Sequence, residues 1–118
     1  MDFSVVKKGT VSDLFTYRAV VEAVVDGDTL RVHIDLGFGA WARQYLRLAQ
    51  IDAPELKTRA GQAARAFVLR EIRPSPIVTL RTTKHDKFDR YLADVFLADG
   101  AYLNQRILGS GHAVRLTM

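Results

Sequence analysis

Alternating apolar and polar positions predict three strands in the first half of the chain. Residues 15 to 25 are rich in β-branched and aromatic side chains, which favours a long strand. Residues 30 to 35 alternate between apolar and polar, which predicts a second strand with one solvated face. The Asp-Gly step at residues 26 and 27 lies between these two runs and is a strong hairpin signal. A third strand is predicted from about residue 42 to residue 51.

The third predicted strand ends in a group of charged side chains. Its period of two places Leu46, Leu48 and Gln50 on one face and Tyr45, Arg47, Ala49 and Ile51 on the other. Pro54 then ends the strand, because it has no N–H to donate and disfavours a helical conformation at the preceding residue. An arginine followed by Asp52 and Glu55 suits the joint binding of a metal ion and a phosphate. Acidic residues beside a proline are also ordinary turn formers, so this stretch alone does not define a site.

Helical spacing replaces the strand pattern after residue 58. An apolar face with helical period predicts a helix from residue 59 to residue 72, which two prolines then end. Residues 77 to 81 and 91 to 97 are predicted strands, separated by a polar loop over residues 82 to 90. A short helix is predicted from about residue 102 to residue 108, followed by an apolar tail.

The order of three strands, a helix, two strands and a helix predicts the fold class. It indicates an α+β, mainly β fold built as a five-stranded OB-type barrel with two short helices. A hairpin-rich α+β sandwich is the alternative. The length of 118 residues predicts one domain, over residues 15–118, after an extended lead-in over residues 1–14.

Composition narrows the classes of partner. The net charge of +4 favours a polyanion such as nucleic acid, although the excess is modest. The absence of cysteine excludes disulfides and thiolate metal sites. No apolar run has the length of a membrane span, and we expect a monomer without a membrane partner. The first residues lack the order of a secretory signal, so the compartment stays open: secreted if a signal was removed, cytoplasmic otherwise.

Two further residues have structural and functional readings. Trp41 follows Gly39-Ala40 and is expected to plug the core, with a platform for stacking bases as the alternative. Asn104 lies inside the short C-terminal helix and is expected to be a buried structural amide.

Four short motifs, taken in order, resemble one known family. They are Asp26-Gly27-Asp28-Thr29, Arg47 five residues before Asp52, Asp52-Ala53-Pro54-Glu55, and Asp86-Lys87-Phe88-Asp89-Arg90. Each motif is weak alone, but their combination resembles the staphylococcal nuclease (thermonuclease) family over about residues 15 to 116. The resemblance implies a calcium-dependent phosphodiesterase on an OB barrel, acting on single-stranded DNA and RNA. Longer members carry a third, C-terminal helix that this sequence lacks after Met118.

The resemblance also implies a role for each matching residue. Asp28, Asp52 and the backbone carbonyl of Ala53 would bind Ca²⁺, with Asp26 just outside the metal ligands. Glu55 would orient or deprotonate the attacking water, while Arg47 and Arg90 would bind phosphate.

Two loop residues match substrate contacts of the family. Lys87 would line the nucleotide site. Phe88 stands where a tyrosine of the family binds the 5′ phosphate, so stacking on a base or sugar is the contact that it retains.

The main rival is a catalytically silent OB module that binds nucleic acid or protein. Degenerate nuclease domains of that kind usually lack the metal-binding acids or the glutamate. The complete set of acids and arginines in this sequence therefore favours an enzyme.

Overall fold

The computed structural model describes residues 14–85 and 90–116 of the chain, apart from the side chains of residues 84 and 85. The expected lead-in before residue 14, and the two predicted substrate contacts Lys87 and Phe88, lie outside the described residues. No helix within the described ranges is long and apolar enough to cross a membrane.

Seven strands and two helices occupy the described residues. In chain order they are β1 (Thr16–Asp26), β2 (Thr29–Gly37), β3 (Ala40–Leu48), β4 (Ile51–Asp52), α1 (Arg59–Ile72), β5 (Ile77–His85), β6 (Tyr91–Phe96), α2 (Leu103–Gly109) and β7 (Val114–Arg115). Helix α1 begins where predicted, because the Thr58 hydroxyl accepts a hydrogen bond from the amide of Gly61 at 2.9 Å.

Five of the strands form a closed barrel in the order β1-β2-β3-β6-β5. β5 pairs back onto β1, and all neighbours are antiparallel except β3 and β6, which are parallel. The predicted five-stranded OB-type barrel with two helices is therefore confirmed. Closure removes the exposed sheet edges that an open sandwich would leave.

Inward-facing residues of the barrel strands and the apolar faces of both helices form one core. Leu30, Leu46, Leu80, Val95 and Leu103 are completely buried. Because each buried leucine contributes about 1.5–3 kcal/mol relative to an exposed one, these strands hold the barrel together and fix what projects from its rim.

The third strand ends earlier than its alternation predicts. β3 stops at Leu48, and Gln50 adopts a left-handed φ of 68°. This turn reverses the side-chain alternation, so Ile51 is buried rather than sharing the face of Arg47. A residue distant in sequence stabilises this turn, because the Asn104 side chain donates to the carbonyl of Ala49 at 3.1 Å.

Asn104 is a buried structural amide, as predicted. Its Oδ1 accepts from the amide of Val95 at 3.0 Å, and its Nδ2 also donates to the carbonyl of Ala93 at 3.1 Å. The side chain thus ties the backbone of β6 to the turn after β3 and has hydrogen-bond partners for both its amide oxygen and its amide nitrogen.

Three other expectations are corrected. β5 continues to His85, so residues 82 to 85 are strand rather than loop; β-branched Thr82 and Thr83 favour this extension. The apolar tail contains a strand, β7, which pairs with β4. Trp41 does not plug the core: it lies on the outer face of β3 and is 47% exposed.

Candidate active site

The β1–β2 hairpin places Asp28 at one end of the barrel. Its strands pair Asp26 with Thr29, as the Asp-Gly signal predicted. The amide of Asp28 donates to Asp26 Oδ1 at 3.0 Å, and the Thr29 hydroxyl donates to Asp28 Oδ1 at 3.2 Å. Asp28 is only 6% exposed, which is unusual for a carboxylate that forms no part of a core.

Gly27 allows three segments to meet at this hairpin. A Cβ atom on Gly27 would lie 2.7 Å from the Cβ of Ala64 in α1 and 2.8 Å from the Cβ of Ala53. No side chain fits at those distances. The missing side chain therefore lets the hairpin, helix α1 and the Asp52–Ala53 turn pack against one another.

Arg47 joins the two aspartates that the sequence singles out. Its Nη2 lies 3.3 Å from Asp28 Oδ2 and 3.0 Å from Asp52 Oδ1, and donates to the carbonyl of Ile51 at 3.1 Å. Because both carboxylate oxygens contact one nitrogen atom, Asp28 and Asp52 converge on a shared position at the barrel rim. Arg47 Nε is buried and has no hydrogen-bond partner among the described residues.

The Asp52–Ala53 turn also contacts Asp28 directly. The amide of Ala53 donates to Asp28 Oδ2 at 2.8 Å, which fixes the backbone of this turn against the hairpin. Residues 25 positions apart in the sequence thereby share one small polar cluster.

The surroundings of Asp28 disfavour a negative charge on its carboxyl group. Burial and, after it, the nearby Asp26 carboxylate together raise the pKa of Asp28 to about 6. The amide of Ala53 and the guanidinium of Arg47 oppose this rise in pKa without cancelling it. A bound cation would relieve the same repulsion.

Glu55 lies apart from the Arg47 cluster. Its carboxylate is exposed and pairs with Lys57 at 3.4 Å. Its backbone, in contrast, is firmly held: the carbonyl accepts from the amide of Thr58 at 3.0 Å and from its hydroxyl at 2.6 Å. Gly61 lies so close that a Cβ there would be 1.8 Å from the Glu55 carbonyl oxygen. The carboxylate is therefore exposed to solvent, while the backbone that carries it is fixed.

Arg90 contacts the cluster through Thr29, a residue for which the sequence motifs predicted no role. Its Nη1 donates to the Thr29 hydroxyl at 3.3 Å, and that hydroxyl donates in turn to Asp28. Thr29 is buried. Its position in the Asp-Gly-Asp-Thr motif could have predicted this role, since a hydroxyl next to an aspartate can donate one hydrogen bond and accept another.

The donor set suits a hard cation but is small. No group of three or more His, Cys, Asp or Glu side chains suitable for a metal ion occurs among residues 14–85 and 90–116. Ca²⁺ prefers oxygen ligands and accepts backbone carbonyls and water, so two convergent carboxylates are compatible with it. The candidate metal ligands are therefore the carboxylates of Asp28 and Asp52, with Asp26 hydrogen-bonded to the amide of Asp28.

Two surface grooves bear on the position of the site. One of about 220 Å³ is lined by Asp52, Ala53 and residues 111–114, beside the polar cluster. Another of about 580 Å³ lies against the inner faces of β2 and β3 and is mainly apolar. We assign the chemistry to the smaller one, because the larger contains none of the charged residues described above.

Comparisons with known proteins agree with the motifs. A family model described as staphylococcal nuclease homologue matches residues 45–118, a range that includes Arg47, Asp52, Glu55 and Arg90. Two Escherichia coli proteins, one of them from O157:H7, are each 30% identical over 93 residues and are named uncharacterized endonuclease. The match covers 79% of this chain but 57% of each relative. The chain spans little more than half the length of those relatives, and it belongs to the staphylococcal nuclease homologue family.

Proposed function

We propose that this protein is a calcium-dependent nuclease that hydrolyses phosphodiester bonds of DNA and RNA, with single strands preferred. The observation that carries the proposal is the convergence of Asp28 and Asp52 on Arg47 at the barrel rim. Family membership and the name of the two relatives support the same reaction class. Contacts to phosphate and metal carry no base information, so we expect little sequence specificity.

Asp28, Asp52 and the backbone carbonyl of Ala53 would hold the Ca²⁺ ion, with Asp26 supporting Asp28. When bound, the ion would polarise a phosphoryl oxygen and lower the pKa of nearby water. The raised pKa of Asp28 supports this assignment, because a crowded, buried carboxylate gains most from a neighbouring cation.

Arg47 and Arg90 would bind the phosphate group undergoing attack. The guanidinium of Arg47 lies between Asp28 and Asp52, so a phosphate oxygen bound beside these carboxylates would meet its positive charge. Planar guanidinium groups bind phosphate oxygens in pairs and strengthen these bonds as negative charge develops. Removing either arginine should lower kcat about 10²–10³-fold, as the loss of one oxyanion donor does.

Glu55 would orient or deprotonate the water that attacks phosphorus. An exposed carboxylate on a fixed turn can reach solvent, which a metal-bound acid cannot do as freely. By family likeness, the bond broken is the 5′-side P–O bond, and the products end in a 3′ phosphate.

The first test measures digestion of single-stranded DNA with calcium and with a chelator. We expect cleavage only with calcium, and its loss in Glu55→Gln and in Arg90→Ala. Glu71→Gln and Arg73→Ala are matched controls, because Glu71 pairs with Arg106 and Arg73 lies at the end of α1, away from the cluster.

Two results would reject this mechanism: cleavage that survives both substitutions, and cleavage that ignores the chelator. Binding of nucleic acid without turnover by the unmodified protein would instead identify it as a silent OB module.

A further inference from the structure

The outer face of β3 carries an unusual alternation of aromatic and cationic residues. Trp41, Arg43, Tyr45 and Arg47 are successive outward residues of this strand, while Ala42, Gln44, Leu46 and Leu48 face inward. We call the four outward residues the β3 track. The track begins beside the β2–β3 turn and ends at the arginine that contacts Asp28 and Asp52.

Both aromatic residues of the track are unusually accessible. Trp41 is 47% exposed and Tyr45 is 48% exposed. Large aromatic side chains normally bury most of their surface, and an exposed pair on one strand face is typical of a binding surface. His33 of β2 lies against Trp41 with ring centroids 5.0 Å apart, so the indole is supported on one side and open on the other.

Arginine side chains flank Tyr45 on the same face. Arg43 donates twice to Glu22, at 2.7 and 3.0 Å, and Arg31 Nε lies 3.9 Å from the same carboxylate. Two guanidinium groups thus share the Glu22 carboxylate near Tyr45, while Asp35, opposite Trp41 in the β2–β3 ladder, places a second carboxylate at the far end of the track. Arg31 Nε is buried and lacks a hydrogen-bond partner in the described part of the chain.

We propose that the β3 track binds single-stranded nucleic acid and leads it to Arg47. Residues two apart on a strand are about 6.7 Å from each other, so the track runs for about 20 Å. That distance accommodates a few nucleotides in extended form. Bases would stack on Trp41 and Tyr45, while the arginines would face the phosphates.

A single strand fits this surface better than a duplex does. Stacking on a flat strand face requires bases whose faces are free, and a duplex keeps its bases inside the stack. The track therefore supplies a physical reason for the preference for single strands. Its direction toward Arg47 rests on the proposed function, whereas binding itself does not.

Trp41 is the only tryptophan in the sequence and reports directly on the track. We expect its fluorescence to be quenched when an oligothymidylate of about ten nucleotides is titrated in the presence of a chelator, which prevents cleavage. A duplex of the same length should quench it much less. An unchanged fluorescence at saturating single strand would overturn the proposal.

Substitution separates stacking from general attraction. Binding of a fluorescently labelled oligonucleotide should weaken at least about fivefold in Trp41→Ala and in Tyr45→Ala, and Trp41→Phe should restore most of it. Phe38→Ala is the matched control, because Phe38 is a fully exposed aromatic residue in the β2–β3 turn, off the strand face. Thermal melting of each variant checks that it is folded.

The outcomes for the track and for catalysis are distinguishable. If folded Trp41→Ala and Tyr45→Ala variants bind as the unmodified protein does, the track is wrong even when DNA is cleaved. If these variants lose binding while the unmodified protein never cleaves DNA, the track stands and the proposed function fails. RNA and DNA oligonucleotides in parallel titrations show whether the track distinguishes the sugars.

Discussion

Asp28 combines a raised pKa with a proposed metal-binding role. Burial and the neighbouring Asp26 raise its pKa to about 6, so the folded protein holds a proton on Asp28 more tightly than the unfolded chain does. The stabilisation from this proton is fully present below about pH 4 and is lost as the pH rises through about 6. At neutral pH the metal-free protein therefore contains a destabilising charge.

Replacing Asp28 by Asn should remove that destabilising charge. We expect the change in free energy of unfolding caused by Asp28→Asn to be more favourable at pH 7 than at pH 4 by about 2 kcal/mol, because a pKa of about 6 makes ionised Asp28 destabilising only at the higher pH. Urea denaturation without metal at both pH values measures the difference.

Calcium should make the unmodified protein more stable than Asp28→Asn at pH 7. The unmodified protein should gain melting temperature with calcium at pH 7, whereas Asp28→Asn should gain little. Asp99→Asn, in the turn after β6, is the control and should respond as the unmodified protein does. If Asp28→Asn changed the free energy of unfolding equally at pH 4 and pH 7, the raised pKa of Asp28 would not explain the destabilising charge.

Among the structural elements, the turn between β4 and α1 connects the fold to the proposed water-activating residue. Gly61, in the first turn of α1, lies against the backbone of Glu55, and Thr58 caps the helix while binding the same carbonyl. The helix start and the position of Glu55 are therefore one structural unit.

A methyl group at Gly61 should displace this unit. In Gly61→Ala the new Cβ would lie 1.8 Å from the Glu55 carbonyl oxygen, so the turn must shift. We expect kcat on single-stranded DNA to fall about tenfold to 10²-fold, since displacements near 1 Å have effects of that size. The calcium-induced rise in melting temperature should fall less than kcat does, because the Asp28 and Asp52 side chains lie outside this contact and only the Ala53 carbonyl adjoins the displaced Pro54–Glu55 backbone.

Gly109→Ala is the matched control for Gly61→Ala. Gly109 ends α2, and the nearest atom to a Cβ there is the Gln105 side-chain nitrogen at 3.8 Å. This control should leave kcat unchanged. A folded Gly61→Ala protein with full activity would show that Glu55 does not need its fixed attachment.

The strands themselves were predictable from local pattern, but their ends were not. Alternation over residues 42 to 48 reflects one buried and one exposed face, which any sequence with this period would show. The break at Gln50 depends on a hydrogen bond from Asn104, and the extension of β5 depends on pairing with Tyr91 and Ala93 of β6. Asn104 lies far from Gln50 in sequence, so local pattern carries no trace of that contact, whereas the β-branched Thr82 and Thr83 were a local signal for the longer β5.

The candidate site was likewise predictable from the sequence only in part. The motifs pointed to Asp28, Arg47 and Asp52, which the structure brings together. They did not reveal the bridge through Thr29 or the raised pKa of Asp28, because both arise from packing of the hairpin against the turn at Ala53.

At the scale of the whole molecule, the net charge of +4 should govern attraction to a polyanion. Phosphate contacts release counterions, so the affinity for a single-stranded oligonucleotide should fall as salt rises. Each phosphate contact contributes about −0.7 to the slope of log affinity against log salt. Arg43→Gln should therefore make the slope shallower by about 0.7, whereas Arg73→Ala should not.

Titrations at several salt concentrations, with chelator present, measure these slopes. An affinity that does not change with salt would count against nucleic acid as the partner. A slope that changes equally in both variants would assign the attraction to overall charge rather than to the face of β3.

The pairing of β7 with β4 links the end of the described chain to Asp52. Val114 lies opposite Asp52 in this two-stranded ladder, and the amide of Leu116 donates to the carbonyl of Gln50 at 2.9 Å. One proposed calcium ligand is thus braced by residues more than sixty positions later in sequence. A protein or peptide that bound residues 114–116 would then change calcium affinity at the groove itself, because Val114 lines that groove together with Asp52.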